Sequence, residues 1–153
     1  MTKRFTVSRA AWEAQDGVRL RAAQRAELDA RYGNDDHEPG TAPTAVDVPV
    51  FLLARDPGGS AVACGGLRPL GAGTAEVKRM YVEPAFRGSG VATLVLRALE
   101  EEARGLGVTR MLLETGTLQP EALRFYRREG YEVIENFGPY AGEELSICLA
   151  RDL

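Results

Sequence analysis

The chain has 153 residues, 27% of them charged, with a formal net charge of −3, and a domain of that length buries about 70% of the surface its unfolded chain exposes, so one domain that folds without staples is expected. Acidic and basic residues are interspersed, which argues against a nucleic-acid or anionic-membrane surface, and no apolar run nears the ~20 residues of a membrane span. Cys64 and Cys148 each sit in an apolar run and are expected as reduced, packed thiols, while the N-terminus, with Lys3, Arg4, Arg9, Glu13, Asp16 and Arg19, lacks the apolar core of a secretion signal, so a cytoplasmic protein is expected.

In chain order, residues 5–8 read as a short strand, and residues 10–32, rich in Ala, Leu, Arg, Gln and Glu, as helix. Gly17 inside that stretch predicts one or two helices, and Gly33-Asn34 predicts a C-terminal cap. Residues 34–49 hold Pro39, Gly40, Pro43 and the acids Asp35, Asp36 and Glu38 without periodicity, and are expected to be a loop with at most one helical turn. The apolar run 50–54, the turn Asp56-Pro57-Gly58-Gly59 and the apolar run 61–67 predict an antiparallel hairpin, and a second turn at 71–73 leads to a strand over 75–82. Val91, Leu94, Val95, Ala98 and Leu99 then recur at helical spacing up to Gly105 and Gly107. A short strand over 110–114, a helix over 119–129 with Pro120 in its first turn and Gly130 past its end, and a strand pair over 131–135 and 145–149 complete the chain. The resulting order, β-α-βββ-α-β-α-β-β, is mixed α/β. It lacks the βαβα alternation of a dinucleotide-binding domain and the acidic residue that would hold a ribose, which argues against a nicotinamide enzyme.

The segment with most chemical content runs from Glu76 through Met80-Tyr81-Val82-Glu83-Pro84 to Arg87-Gly88-Ser89-Gly90-Val91-Ala92. A strand ends at Pro84, two glycines let the backbone pass close to a ligand, and a helix opens with N–H groups that have no intrahelical acceptor. That combination predicts a pyrophosphate cradle and a diphosphate-bearing cofactor.

These residues resemble the GNAT family of N-acetyltransferases, which move an acetyl group from acetyl-CoA to a primary amine. The resemblance covers most of the chain. The family's Arg/Gln-x-x-Gly-x-Gly/Ala element stands as Arg87 to Ala92, with the Tyr81-Val82-x-Pro84 strand end before it and Leu113-Glu114 and Phe125-Tyr126-Arg127-Arg128-Glu129-Gly130-Tyr131 after it, in order and spacing. It implies a mixed, mostly antiparallel sheet of six to seven strands with splayed central strands and about four flanking helices. It also implies that Met80, Tyr81 and Val82 hydrogen-bond the pantetheine arm through their backbone, and that N–H groups from Gly88 to Thr93 take the pyrophosphate. Gln119 stands where the family commonly has Asn, seven residues before Tyr126, which keeps the amide on a longer arm.

The resemblance further implies Tyr126 as general acid toward the departing thiolate, since a phenol with an ordinary pKa near ~10 stays protonated at neutral pH. Two carboxylates are candidate bases: Glu114, five residues before Gln119, and Glu76, six before Val82, and burial would raise either toward the range a base needs. His37, flanked by acids in a polar loop, reads as a solvated side chain rather than a catalytic group. No His/Cys pair has metal-ligand spacing, so no metal is expected. The acids Asp35 to Glu38, with Asp47, fall where the family covers its acceptor site, and the loop from Asn136 to Tyr140 is expected to form the other wall of that pocket. The partner so implied is an amine acceptor, a small molecule or peptide, with a homodimer left open. The competing expectation is a module of the same fold that binds acetyl-CoA or an amine without turning it over.

Overall fold

The computed structural model describes residues 4–153; Lys3, part of the N-terminal charge pattern, lies outside the described residues. The elements are β1 (Thr6–Arg9), α1 (Gln15–Tyr32), β2 (Val50–Arg55), β3 (Ala61–Gly71), β4 (Thr74–Val82), α2 (Val91–Gly105), β5 (Arg110–Gly116), α3 (Pro120–Arg128), β6 (Glu132–Ile134) and β7 (Ser146–Asp152), with short 3₁₀ turns at Pro84–Phe86 and Gly138–Tyr140. They build a seven-stranded sheet in the order β1-β2-β3-β4-β5-β7-β6. Every neighbouring pair is antiparallel except β4 with β5.

Strand alternation sorts the side chains into two layers. Val50, Leu52 and Ala54 of β2 join Val91, Val95, Leu96, Leu99 and Ala103 of α2 and Tyr126 of α3 in one core. Phe51 and Leu53 point the other way and meet Leu20 of α1. The apolar stripe of α2 follows its 3.6-residue period, and each fully buried branched side chain on it contributes about 1.5–3 kcal/mol. Buried Glu100 on the same helix accepts hydrogen bonds from Tyr131 (2.8 Å), Arg97 (2.9 Å) and Arg151 (2.7 Å). Burial alone would raise its pKa, but these donors bring it below the ordinary carboxylate value.

Three α-helices are present among the described residues, one fewer than expected. Gly17 does not divide the first: it lies in the opening turn of α1, where a Cβ would stand 2.6 Å from the Phe51 ring, so its smallness serves packing and not a break. Residues 34–49 form a loop with a turn at its end, where the Thr44 N–H (2.5 Å) and hydroxyl (2.9 Å) both donate to Asp47 Oδ1. The strand after the hairpin turn extends beyond Leu67 to Gly71, because Arg68 and Pro69 still pair with Glu76 and Ala75. Buried Cys64 and Cys148 are free thiols.

Candidate active site

The β4–β5 contact is short. Only Thr74, Ala75 and Glu76 pair with Arg110, Met111 and Leu112, after which the two strands part. On its other edge β4 stays paired with β3 but carries a bulge, because the register passes from Gly66 opposite Lys78 to Cys64 opposite Tyr81, two residues further on β3 against three on β4. The bulged residue is Arg79, held at φ +56°, a left-handed conformation that costs an L-residue roughly 1–2 kcal/mol. Its carbonyl accepts the Cys64 thiol (3.3 Å) and its guanidinium donates to Glu38 (2.7 Å).

The bulge changes which backbone groups face β5. Gly73, before it, accepts from Thr109 N–H (2.8 Å) on the β5 side, whereas Glu83, after it, donates to Val62 O (2.9 Å) on the β3 side. Alternation then turns Met80 and Val82 toward the parted edge and Tyr81 toward β3. The implied cofactor contacts therefore narrow: the Tyr81 backbone is committed to the sheet, and its ring lies under the Arg87 guanidinium (5.6 Å). Side chains cover both exposed carbonyls, with Gln24 Nε2 donating to Met80 O (2.8 Å) and Arg87 Nε to Val82 O (3.0 Å).

Beyond Val82 the chain turns through Pro84–Phe86 into Gly88 (φ +78°) and Gly90 (φ +88°), both left-handed, and a Cβ at either would point into open space. The first intrahelical bond of α2 is Leu94 N–H to Gly90 O (3.3 Å), so the N–H groups of Ala92 and Thr93 precede it and have no acceptor within the helix. Ser89 turns inward, donating to Phe86 O (2.5 Å), and the Thr93 hydroxyl donates to Glu129 (2.7 Å), which leaves backbone rather than side-chain donors at this turn.

A cavity of about 650 Å³ runs along this surface. It is lined by Met80, Tyr81, Val82, Arg87, Gly88, Gly90, Val91, Ala92, Thr93, Gln119 and Tyr126, which is every residue expected at the cofactor site except Ser89. From α1 it takes Gln24, Glu27, Leu28 and Arg31. Glu27 pairs with Arg87 (2.9 Å), and Arg31 pairs with Glu121 of α3.

A narrower cavity of about 120 Å³ shares Gln24, Met80, Gln119 and Tyr126 with the first and reaches Glu114, Lys78, Arg79 and His37 between the parted strands. Tyr126 is buried, which raises its pKa, and its hydroxyl meets no hydrogen-bond partner among the described residues. Glu114 accepts one hydrogen bond, from Ser146 Oγ to Oε2 (2.8 Å). Burial raises its pKa, the Ser146 hydroxyl and Lys78 pull it down, Glu38 and Glu76 push it up, and the net shift is upward.

Glu76 lies elsewhere. It is 2% exposed and lines none of the three cavities described here. Tyr140 donates to its Oε2 at 2.5 Å, with Lys78 at 3.5 Å and Arg68 at 3.8 Å. The aromatic loop differs from expectation for the same reason: Tyr140 turns into the core to reach Glu76, and neither it nor Phe137 lines a cavity described here.

A third cavity of about 380 Å³ opens between α1 and the 34–49 loop, lined by Trp12, Arg21, Arg25, Gln24, Leu28, His37, Glu38, Pro43 and Arg79. His37 is not solvated as expected; its side chain is 5% exposed, bonded to Asp29 (2.7 Å) and stacked on Tyr32. Asp47 is committed to Thr44 and to Arg68 (2.9 Å). Of the loop acids, Glu38 alone lines a cavity, and Lys78 (3.2 Å), Arg79 (2.7 Å) and Arg25 (3.8 Å) surround it.

The α1 residues were missed from sequence. Gln24, Leu28 and Arg31 stand at i, i+4 and i+7 on one face of a helix whose only buried residues are Gly17 and Leu20. A weakly apolar helix with a mixed polar face was the available signal.

A parted strand pair, a bulge that frees backbone groups, and a helix N-terminus border one continuous cavity in this mixed α/β fold. The acetyltransferase (GNAT) family model matches residues 12–131. The chain belongs to that family and is an N-acetyltransferase by class. It is 38% identical over 104 residues to an IAA acetyltransferase of Azospirillum brasilense, a match covering 67% of each chain. Further relatives match over about half their own length. Among solved structures, a protein of Klebsiella pneumoniae subsp. pneumoniae MGH 78578 assigned as an acyl-CoA N-acyltransferase superposes with a TM-score of 0.82 at 32% identity, covering 97% of both chains. A GNAT acetyltransferase of Elizabethkingia anophelis with acetyl-CoA bound shares the fold, with a TM-score of 0.71 at 18% identity over 97% of this chain and 98% of that one.

Proposed function

We propose that this chain, as one domain, transfers the acetyl group of acetyl-CoA to a primary amine of a small molecule or peptide by direct attack within a ternary complex. One observation carries the reading: the raised carboxyl of Glu114 and the unpartnered hydroxyl of Tyr126 line a single narrow cavity that opens beside the free edge of Met80. The Elizabethkingia relative's bound acetyl-CoA supports the choice of donor.

The residues present fit that donor. Met80 and Val82 offer N–H groups along the parted strand edge, their carbonyls being held by Gln24 and Arg87, and the N–H groups of Ala92 and Thr93 with the two left-handed glycines suit a pyrophosphate. Acetyl-CoA supplies a thioester; the Met80 N–H on the parted edge is the donor for its oxygen as charge develops.

Glu114 acts as the base. A carboxylate raised by burial holds a proton more strongly than a solvated one, and Oε1 accepts no hydrogen bond from the described residues, so it can take a proton from the incoming ammonium directly or through one water. Tyr126 donates to the departing sulfur. Because burial raises its pKa, the phenol is protonated at neutral pH and can give a proton or hold the thiolate by a hydrogen bond. Glu76, the other candidate base, holds Tyr140 and Lys78 in place in this reading.

Thiol release from acetyl-CoA across a panel of primary amines tests the proposal. Amine-dependent release supports it; tight acetyl-CoA binding with no release above the amine-free rate for any amine supports the non-catalytic module instead.

A further inference from the structure

We propose that Gln24 is the docking residue for the acceptor's reacting nitrogen, an inference that rests on the transfer reading above. Gln24 is the one glutamine lining all three cavities, the long cofactor channel, the narrow cleft holding Glu114 and the opening beside the 34–49 loop. Its amide orientation is fixed by chemistry. Met80 O can only accept, so the group 2.8 Å from it is the NH₂, and Oε1 faces away from it. That oxygen is buried and accepts no hydrogen bond from the described residues.

A buried amide oxygen without a donor is costly, and a ligand that brings an N–H to it would complete it. The other carboxylate and amide oxygens of the narrow cleft narrow the choice of ligand. Gln119 Oε1 takes Gly116 N–H (3.1 Å) and Tyr32 (3.3 Å), Glu38 takes Lys78 (3.2 Å) and Arg79 (2.7 Å), and Glu114 Oε2 takes Ser146 (2.8 Å). Among these groups Gln24 Oε1 and Glu114 Oε1 remain, beside the Thr115 hydroxyl, which lines the same cleft and has no hydrogen-bond partner among the described residues. A primary ammonium brings three N–H donors and a neutral amine two, so a nitrogen entering this cleft meets Glu114 Oε1, which removes its proton, and reaches the enclosed Gln24 Oε1 on a small shift of the side chains around it. The tie from Nε2 to Met80 O sets the docking oxygen against the same strand edge that presents the thioester, which is how a nucleophile is held near its target. Gln24 is thus a residue that touches substrate, whereas the Met80 contact positions it.

Two variants separate docking from support. Gln24→Met keeps length and loses both polar atoms; Gln24→Glu keeps an acceptor oxygen and loses the donor to Met80. With phenethylamine and spermidine as probe amines, Gln24→Met should raise KM for the amine about ten- to hundred-fold, the range for one hydrogen bond to a charged group. It should leave acetyl-CoA affinity by calorimetry within about two- to three-fold, and Gln24→Glu should recover a large part of the amine KM. A second readout does not require turnover: the ¹⁵N side-chain amide pair of Gln24, identified by its loss in Gln24→Met, should shift when either amine is titrated into CoA-loaded protein. Weakened acetyl-CoA binding with an unchanged amine KM would make Gln24 a support for the cofactor strand and overturn the proposal. So would an unmoved Gln24 resonance with both amines, including one that the parent turns over. A shifted resonance without thiol release would keep Gln24 as the amine's docking residue and count against acetyl transfer instead.

Discussion

Replacing Glu114 by Gln removes the proposed base while keeping shape and the oxygen that accepts from Ser146 Oγ at 2.8 Å. A general base contributes typically 10²- to 10⁴-fold, so kcat/KM should fall by that factor, about 3–5 kcal/mol of transition-state stabilisation. The shift also predicts the sign of the stability change. Burial raises the carboxyl above its unfolded value, so folding favours the protonated form; the stabilisation this gives is complete below the unfolded pKa and is lost as pH rises through the folded one. Above the folded pKa the parent has lost it, and there a neutral amide should raise the thermal midpoint rather than lower it. The assay is steady-state thiol release from about pH 5 to 10 beside a thermal scan. In the parent, kcat/KM should rise through an apparent pKa belonging to Glu114, the amine or both together. In Glu114→Gln the residual rate should climb with the free-amine fraction at high pH. A parental rate and profile in Glu114→Gln would refute the base assignment, and a large loss of thermal stability would show that the carboxylate is a structural member of the sheet.

Tyr126→Phe should lower kcat by about 10²-fold or more with little change in urea stability, since the hydroxyl has no hydrogen-bond partner to lose among the described residues; an unchanged kcat leaves Tyr126 as packing. Gly90→Glu places a side chain and a charge at φ +88° on the cradle, and calorimetry should show acetyl-CoA affinity reduced at least about ten-fold; parental affinity removes the pyrophosphate assignment. Glu76→Gln should cost about 1–3 kcal/mol in urea unfolding, because Lys78 keeps Glu38 as a partner, while kcat/KM changes less than in Glu114→Gln; the reverse ranking exchanges the roles of the two glutamates. Glu100→Ala should cost about 1–3 kcal/mol, since the buried Tyr131 hydroxyl loses its acceptor while the partly exposed Arg97 keeps Glu129; a loss under about 0.5 kcal/mol would mean that network is solvated.

Local chemistry made the scaffold legible. Turn residues at 56–59, the helical period from Val91 to Leu99 and the Pro120 and Gly130 punctuation are each written within a few residues, and the element order follows from them. The glycine turn was legible for the same reason, since a left-handed Gly90 before a helix requires only local backbone geometry. What sequence could not show depends on pairing across long separations. The parity change at Arg79 arises from how β4 meets β3, so nothing near Met80-Tyr81-Val82 announces that Tyr81 faces inward. Tyr140 sits in an aromatic, turn-rich loop, and only the approach of that loop to β4 reveals that its hydroxyl belongs to Glu76, 64 positions earlier. Glu76 and Glu114 look equivalent along the chain; the fold makes one a buried hydrogen-bond acceptor and leaves the other with a free oxygen in a cavity. His37 shows the same limit, because its stacking on Tyr32 cannot be read from its acidic neighbours.

Acetyl-CoA carrying a ¹³C label at the acetyl carbonyl, incubated with the protein and a panel of small amines and peptides, tests the central claim most directly. The account predicts that the thioester carbonyl signal is replaced by an amide carbonyl on the amine, at a rate set by enzyme concentration, with no acetyl group left on the protein. A thioester signal that persists with every amine while acetyl-CoA remains bound would contradict it.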